Sequence, residues 1–160
     1  MKQNHLSRWL KLVIAGVAIC GLIIYILIVP MIGKEMVSAD AEALSGYYMP
    51  WLIFIVVSGI PCYIALAFAW QIAKNIGLNC SFSVENASKL KWISNLAVID
   101  AAYFFAGNVI LFLLGMNHPG ILLFSLIIVF IGVAISVAAA SLSHLVLKGV
   151  ELEDLNEGTI

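Results

Sequence analysis

Charge is what this 160-residue chain has least of. Asp, Glu, Lys and Arg make up 11% of it, and residues 12–33, 43–73 and 101–147 hold none of them. An average soluble domain is about a quarter charged. Hydrophobic residues reach 63% and the mean hydropathy is +1.09, more apolar surface than a water-soluble core of this length can hide. The chain is therefore expected to be all-α and polytopic: one membrane domain, 1–160, folded as a four-transmembrane-helix bundle with short loops. Its spans need almost every residue, which leaves no room for a separate soluble domain. The net charge of −1 gives no reason to expect nucleic-acid binding.

Other absences narrow the chemistry. There are three cysteines, Cys20, Cys62 and Cys80, with no CxxC spacing, so neither a disulfide framework nor a zinc site is indicated. They read as small buried hydrophobes plus one free loop thiol. The three histidines, His5, His118 and His144, cannot share a metal, because His118 falls on the opposite membrane face from the other two. No GxSxG, HExxH or paired carboxylates occur. Hydrolysis needs a nucleophile with its base, or a metal with its ligands, at one place. The expectation is a protein that is not an enzyme, with no cofactor and no metal.

A membrane helix needs about 20 apolar residues. Four stretches qualify: residues 10–32, 50–73, 92–114 and 119–147. The cluster Gly115-Met116-Asn117-His118-Pro119-Gly120 divides the long uncharged run 101–147, since Gly and Pro favour a turn. Pro50 and Pro119 suit a first helical turn, where a missing N–H costs nothing. Ala39-Asp40-Ala41 resembles a signal-peptide cleavage site. The apolar run before it, however, is about twice an ordinary signal core, which favours a retained span.

Lys2, Arg8, Lys11, Lys74, Lys89, Lys91 and Lys148 fall on one side and only Lys34 on the other. The positive-inside bias then places both termini and the 74–91 loop in the cytoplasm. The outer 33–49 loop carries Glu35, Asp40 and Glu42. Trp9, Trp51, Trp70 and Trp92 stand near span ends, as an interfacial belt would.

Asp100 is the one acid inside a span. It lies eight residues past Trp92, roughly 12 Å into the bilayer. An ionised carboxylate at depth costs at least ~2.5 kcal/mol, so Asp100 should face other helices. Depth counting offers Tyr63 and Ser136 as its partners, with Ser141 and His144 nearer the surface. Asn108 lies farther along the third span, at a level Ser58 and Tyr25 reach. For both residues the plain reading, helices tied by hydrogen bonds, is preferred to a proton-linked or ligand-coordinating site. Gly132, Ser136 and Ala140 form a small-residue stripe on the fourth span, and Gly16 and Gly21 a weaker one on the first. Pro61 should kink the second span or open its hydrogen-bond ladder.

Between the second and third spans, Ser83 reads as an N-cap, with Glu85 in the first turn complementing the helix dipole. The tail, 148–160, is acidic: Glu151, Glu153, Asp154 and Glu157 follow Lys148. It will not bind an anionic leaflet, and it reads as a solvated, frayed helix end.

The pattern Phe82-Ser83-x-Glu85-Asn86-Ala87-x-x-Leu90-Lys91-x-Ile93, together with the ending Glu151-Leu152, Asn156 and Thr159-Ile160, resembles a group of small bacterial membrane proteins known as domain of unknown function 2975. Gly158 departs from the usual family tail. The resemblance implies four spans over most of the chain. Genes for helix-turn-helix regulators beside many members imply a sensing or stress-response role. The expected function is a membrane protein that presents the Phe82, Glu85, Asn86, Leu90 segment and its tail to a cytoplasmic protein partner. The alternative is one subunit of an oligomeric transporter or channel built on Asp100. Membrane lipids are expected to surround the chain, and a homo-oligomer is required by the alternative.

Overall fold

With no water in the hydrocarbon to satisfy N–H and C=O groups, an uncharged run must close its own hydrogen bonds, and the described parts of these runs do so as helices, with 101–147 split between two. The computed structural model describes residues 3–39, 48–117 and 119–157. The acids Asp40 and Glu42, the turn residue His118 and the terminal Thr159-Ile160 lie outside the described residues. Helix α1 (Gln3–Ile23) passes through one wide π-helical segment (Ile24–Ile28) into α2 (Val29–Ala39). Then come α3 (Tyr48–Gly77), α4 (Val84–Leu113) and α5 (Pro119–Glu157). α1 with α2, and each of α3, α4 and α5, are long and apolar enough to cross a membrane.

Extensive packing follows chain order: α1 on α3, α3 on α4, α4 on α5. The N-terminus, the loop between α3 and α4, and the end of α5 share one end of the molecule, here called the terminal end. The interior is small and polar, and the surface is large and apolar. Ser7, Ser58, Ser94, Ser125, Ser136 and Ser143 are buried, whereas most Leu, Ile and Phe side chains point outward. This inversion is what lipid requires. Burying Leu gains nothing against hydrocarbon, so association rests on close backbone approach and interhelical hydrogen bonds.

Each seam shows how that works. On α4–α5, Ser136 Oγ donates to Ser94 O at 2.9 Å and lies 3.0 Å from Ser94 Oγ, while Ser143 Oγ donates to Ala87 O at 2.7 Å. Gly132 sits against Ala101, where an added Cβ would come within 3.2 Å of that methyl group. The buried stripe on α5 therefore runs through Ser136, Ala139 and Ser143, with Gly132 half-buried at its far end; Ala140 is exposed, because seven residues make less than two full turns and the stripe drifts. On α1–α3, Tyr63 OH donates to Ala18 O at 2.8 Å across Gly21, and Ser7 Oγ donates to Ala73 O at 2.6 Å beside Gly77. Gly16, by contrast, has open space around it and packs against nothing.

Two further expectations are changed. α3 runs on to Gly77, beyond the Lys74 used to mark its span end, whereas α4 starts at Val84 directly after the Ser83 cap, as expected. The tail is regular helix through Glu157 rather than frayed, with Gly149 seated against the Phe82 ring. Pro61 opens the hydrogen-bond ladder of α3 by one bond, since its ring nitrogen cannot donate to the carbonyl one turn back, and the helix runs on through it.

Candidate functional site

The polar groups of the spans collect at three levels. At the terminal end the centre is Asn86, 1% exposed. Ser83 caps α4 with extended backbone, its side chain accepting from Asn86 N at 3.2 Å. The Asn86 side chain accepts from Asn75 Nδ2 at 2.8 Å and donates to Cys80 O at 2.9 Å and Ser81 O at 3.1 Å. This amide thus joins both sides of the α3–α4 loop, whose own backbone bonds run from the N–H groups of Leu78 and Cys80 to Asn75 O and from that of Asn79 to Ile76 O, and which turns at Asn79 with φ of 61°. Leu90 is buried with Ala87 and Val146, and Ile72 packs on that cluster. Glu85 is exposed and pairs with Lys89 one turn on. The hydrogen bond and charge of Lys89 hold the Glu85 carboxyl below the ordinary glutamate range. Phe82 stays half exposed against Gly149. Of the four motif residues, Asn86 and Leu90 are therefore internal fastenings, and Phe82 and Glu85 remain on the surface.

At the opposite end, Asn108 donates to Phe104 O at 2.8 Å and accepts from Asn117 Nδ2 at 3.0 Å. It ties the α4–α5 turn to α4. Tyr25 and Ser58, expected at its level, instead meet each other: their hydroxyls are 3.4 Å apart, and Ser58 Oγ donates to Ile55 O at 2.8 Å. With the Ser58 proton used there, Tyr25 donates to Ser58.

Between these levels lies Asp100. Neither Tyr63 nor Ser136 reaches it; Tyr63 bonds α1 and Ser136 bonds Ser94. Its partner is Cys62, whose Sγ donates weakly to Oδ2 at 3.5 Å. The other oxygen, Oδ1, is buried and accepts no hydrogen bond from the protein. Around it are two cavities. One, of about 300 Å³, lies toward the terminal end and is lined by Val17, Ala65, Leu96 and Ala97 among others. The second, of about 440 Å³, lies toward the opposite end and is lined by Tyr25, Val29, Phe104 and Ile128 among others. Cys62, Asp100, Gly132 and Ile135 line both, so the carboxylate stands where the cavities meet. All four spans contribute to the walls. α1 and α5 face each other chiefly across this space, since their packing partners are α3 and α4.

Sequence reasoning placed Asp100 among helices but missed Cys62, Tyr25 and the π-helical segment. Counted from the true ends of α3 and α4, Cys62 and Asp100 each lie about four turns deep. Counting from Lys74 and Trp92 hid the match. The π segment, a feature that often accompanies functional sites, widens α1 where Tyr25 turns over Gly59; an added Cβ there would come within 3.0 Å of the ring. Among the described residues no three His, Cys, Asp or Glu side chains are grouped to hold a metal ion.

Residues 35–160 match the family described as "Protein of unknown function (DUF2975)". The chain is also similar to the uncharacterized membrane protein YoaS of Bacillus subtilis (strain 168), 30% identical over 156 residues that cover 94% of each protein. No solved structure matches it. By the extent of both likenesses, this four-span membrane protein belongs to the DUF2975 family.

Proposed function

We propose that this chain is a non-enzymatic, receptor-like protein of the bacterial cytoplasmic membrane, with both termini in the cytoplasm. A small amphipathic molecule occupies the space around Asp100, and α5 conveys that occupancy to a cytoplasmic protein partner. The observation that carries the reading is the unbonded Asp100 Oδ1 at a cavity junction walled by all four spans. The same α5 that supplies Gly132 and Ile135 to the walls continues as one helix to Glu157. The sevenfold excess of basic residues at the terminal end supports the orientation.

Two measurements test it. Cys80 is a free, exposed loop thiol, so a membrane-impermeant maleimide should label it only after cells are permeabilised; labelling in intact cells refutes the orientation. Pull-down of the tagged full chain should recover a partner that is lost when residues 149–160 are deleted. Filling the cavity by Ala65→Leu should change the amount recovered. Equal recovery from all three forms overturns the receptor reading.

A second reading follows from the cavities lying on either side of Asp100 along the helices. Such a series suits a subunit of an oligomeric transporter or channel. Flux into proteoliposomes should then fall in Asp100→Asn; flux equal to that of empty vesicles removes this reading.

A further inference from the structure

The cavity walls restrict what fits inside them. Their polar members are Tyr25, Ser58, Cys62 and Asp100; the remaining lining is aliphatic apart from Phe104. Ser58 already donates to Ile55 O, the Tyr25 hydroxyl is spent on Ser58, and the Cys62 proton points at Asp100 Oδ2. The charged-type group left for a ligand is the Asp100 carboxyl, which lines both cavities and whose Oδ1 has no partner in the protein. No lining residue is basic. An ionised Asp100 repels an anion. A neutral hydroxyl would be served as well by a Ser or Asn, without the cost of holding a carboxylate at this depth. A cation removes that cost, because an opposite charge favours the ionised acid. The Tyr25 and Phe104 rings line the same cavity as the carboxylate and attract positive charge to their faces.

We infer that the cavity is a binding site for hydrophobic amines: molecules with one protonated nitrogen, seated at Asp100, and an apolar body filling the space on either side. This inference rests on the ligand-binding reading above and gives it a chemical class.

The test uses the full chain in zwitterionic-lipid nanodiscs, radiolabelled decylamine as the probe, and empty nanodiscs as the background. Saturable binding of one decylamine per chain is expected, with decanol and decanoate competing at least about tenfold less well. A charge-assisted hydrogen bond is lost in Asp100→Asn, so decylamine should bind about ten- to a hundredfold more weakly. Ala65→Leu keeps the carboxylate, narrows the first cavity and should also weaken binding; it covers the case in which Asp100→Asn does not fold. If decanol competes as well as decylamine, the amine class is overturned while ligand binding stands. If decylamine binds Ala65→Leu and Asp100→Asn as tightly as the unaltered chain, the location is overturned. If none of the three probes binds saturably to a chain that melts cooperatively, the ligand-binding reading falls with it.

Discussion

Replacing Asn86 is the sharpest test of how the terminal end is held. Asn86→Ala removes three side-chain hydrogen bonds, to Asn75, Cys80 and Ser81, and leaves the bond from its backbone N–H to the Ser83 cap in place. Each is worth about 0.5–1.5 kcal/mol net, and the residue is almost wholly buried, so water does not replace them until the loop opens. The expected loss is about 2–4 kcal/mol in unfolding from a mixed-micelle SDS titration, with no change in the helix content of the folded state. Asn86→Asp sharpens the result. The carboxylate keeps the acceptor for Asn75 but turns an oxygen toward the Cys80 and Ser81 carbonyls, so it should be at least as harmful as Ala despite its matching shape. Amide hydrogen exchange at residues 78–82 should speed up in both variants, while exchange at the middle of α4 stays slow. If Asn86→Ala unfolds with the unaltered chain, within about 0.5 kcal/mol, the loop is held by something other than this amide.

Other consequences are smaller. Ser136→Ala, Ser94→Ala and the double variant, compared by the same titration, should show a coupling of about 0.6 kcal/mol and no more than about 1.7, the range for hydrogen bonds between membrane helices. Gly21→Ala would put a Cβ within 2.8 Å of the Tyr63 hydroxyl and force it off Ala18 O; it should be destabilising in this chain and nearly silent in Tyr63→Phe. Because Lys89 depresses the Glu85 carboxyl, that pairing supports the start of α4 above the ordinary glutamate range and is lost as the pH falls through the lowered value. An NMR titration of the Glu85 side-chain carboxyl should therefore show a midpoint below that of a free glutamate, rising toward the ordinary value in Lys89→Ala.

How far a sequence can be read depends on what sets each feature. The four spans and the turn at Gly115 follow from hydropathy and Gly/Pro chemistry, which are local, and they agree with the structure. The Ser83 cap is local too: an extended residue whose hydroxyl meets the N–H three positions on. Pairings across helices are not local. Asp100 was matched to Tyr63 and Ser136 by counting from the assumed span ends at Lys74 and Trp92, yet the helices run past those residues, and a few residues of error turn a side chain to another face. Phase was lost in α5 for the related reason that a four-residue repeat drifts around a helix with 3.6 residues per turn. The Phe82–Leu90 motif shows a different ambiguity. Its polar residues suggested a surface for a partner, but Asn86 carries its amide inward to close a loop, and a buried fastening is as polar in sequence as a binding face.

The arrangement of the seams explains why space is left around Asp100 at all. α1 is fastened to α3 by Tyr63 at Ala18 and by Ser7 at Ala73, and α5 is fastened to α4 by Ser136 and Ser143. Those bonds hold the outer spans without any need for α1 and α5 to touch, so the gap between them need not close for the chain to be stable. An occupant of the larger cavity meets Tyr25 and Val29 on one side and Ile128 and Ile135 on the other, and so becomes the link between spans that the chain itself leaves unjoined. Binding only to the folded state must stabilise it, by about 2.7 kcal/mol at a hundred times the dissociation constant. That gain should also be spent in a particular place. Spin labels on the outward positions Ile23 of α1 and Ile127 of α5 should show a narrower distance distribution when decylamine is present. Labels on Ile53 of α3 and Ile110 of α4, whose helices pack directly on each other, should not respond. A narrowing at both pairs would mean that the ligand tightens the whole molecule, and the gap between the outer spans would lose its special standing.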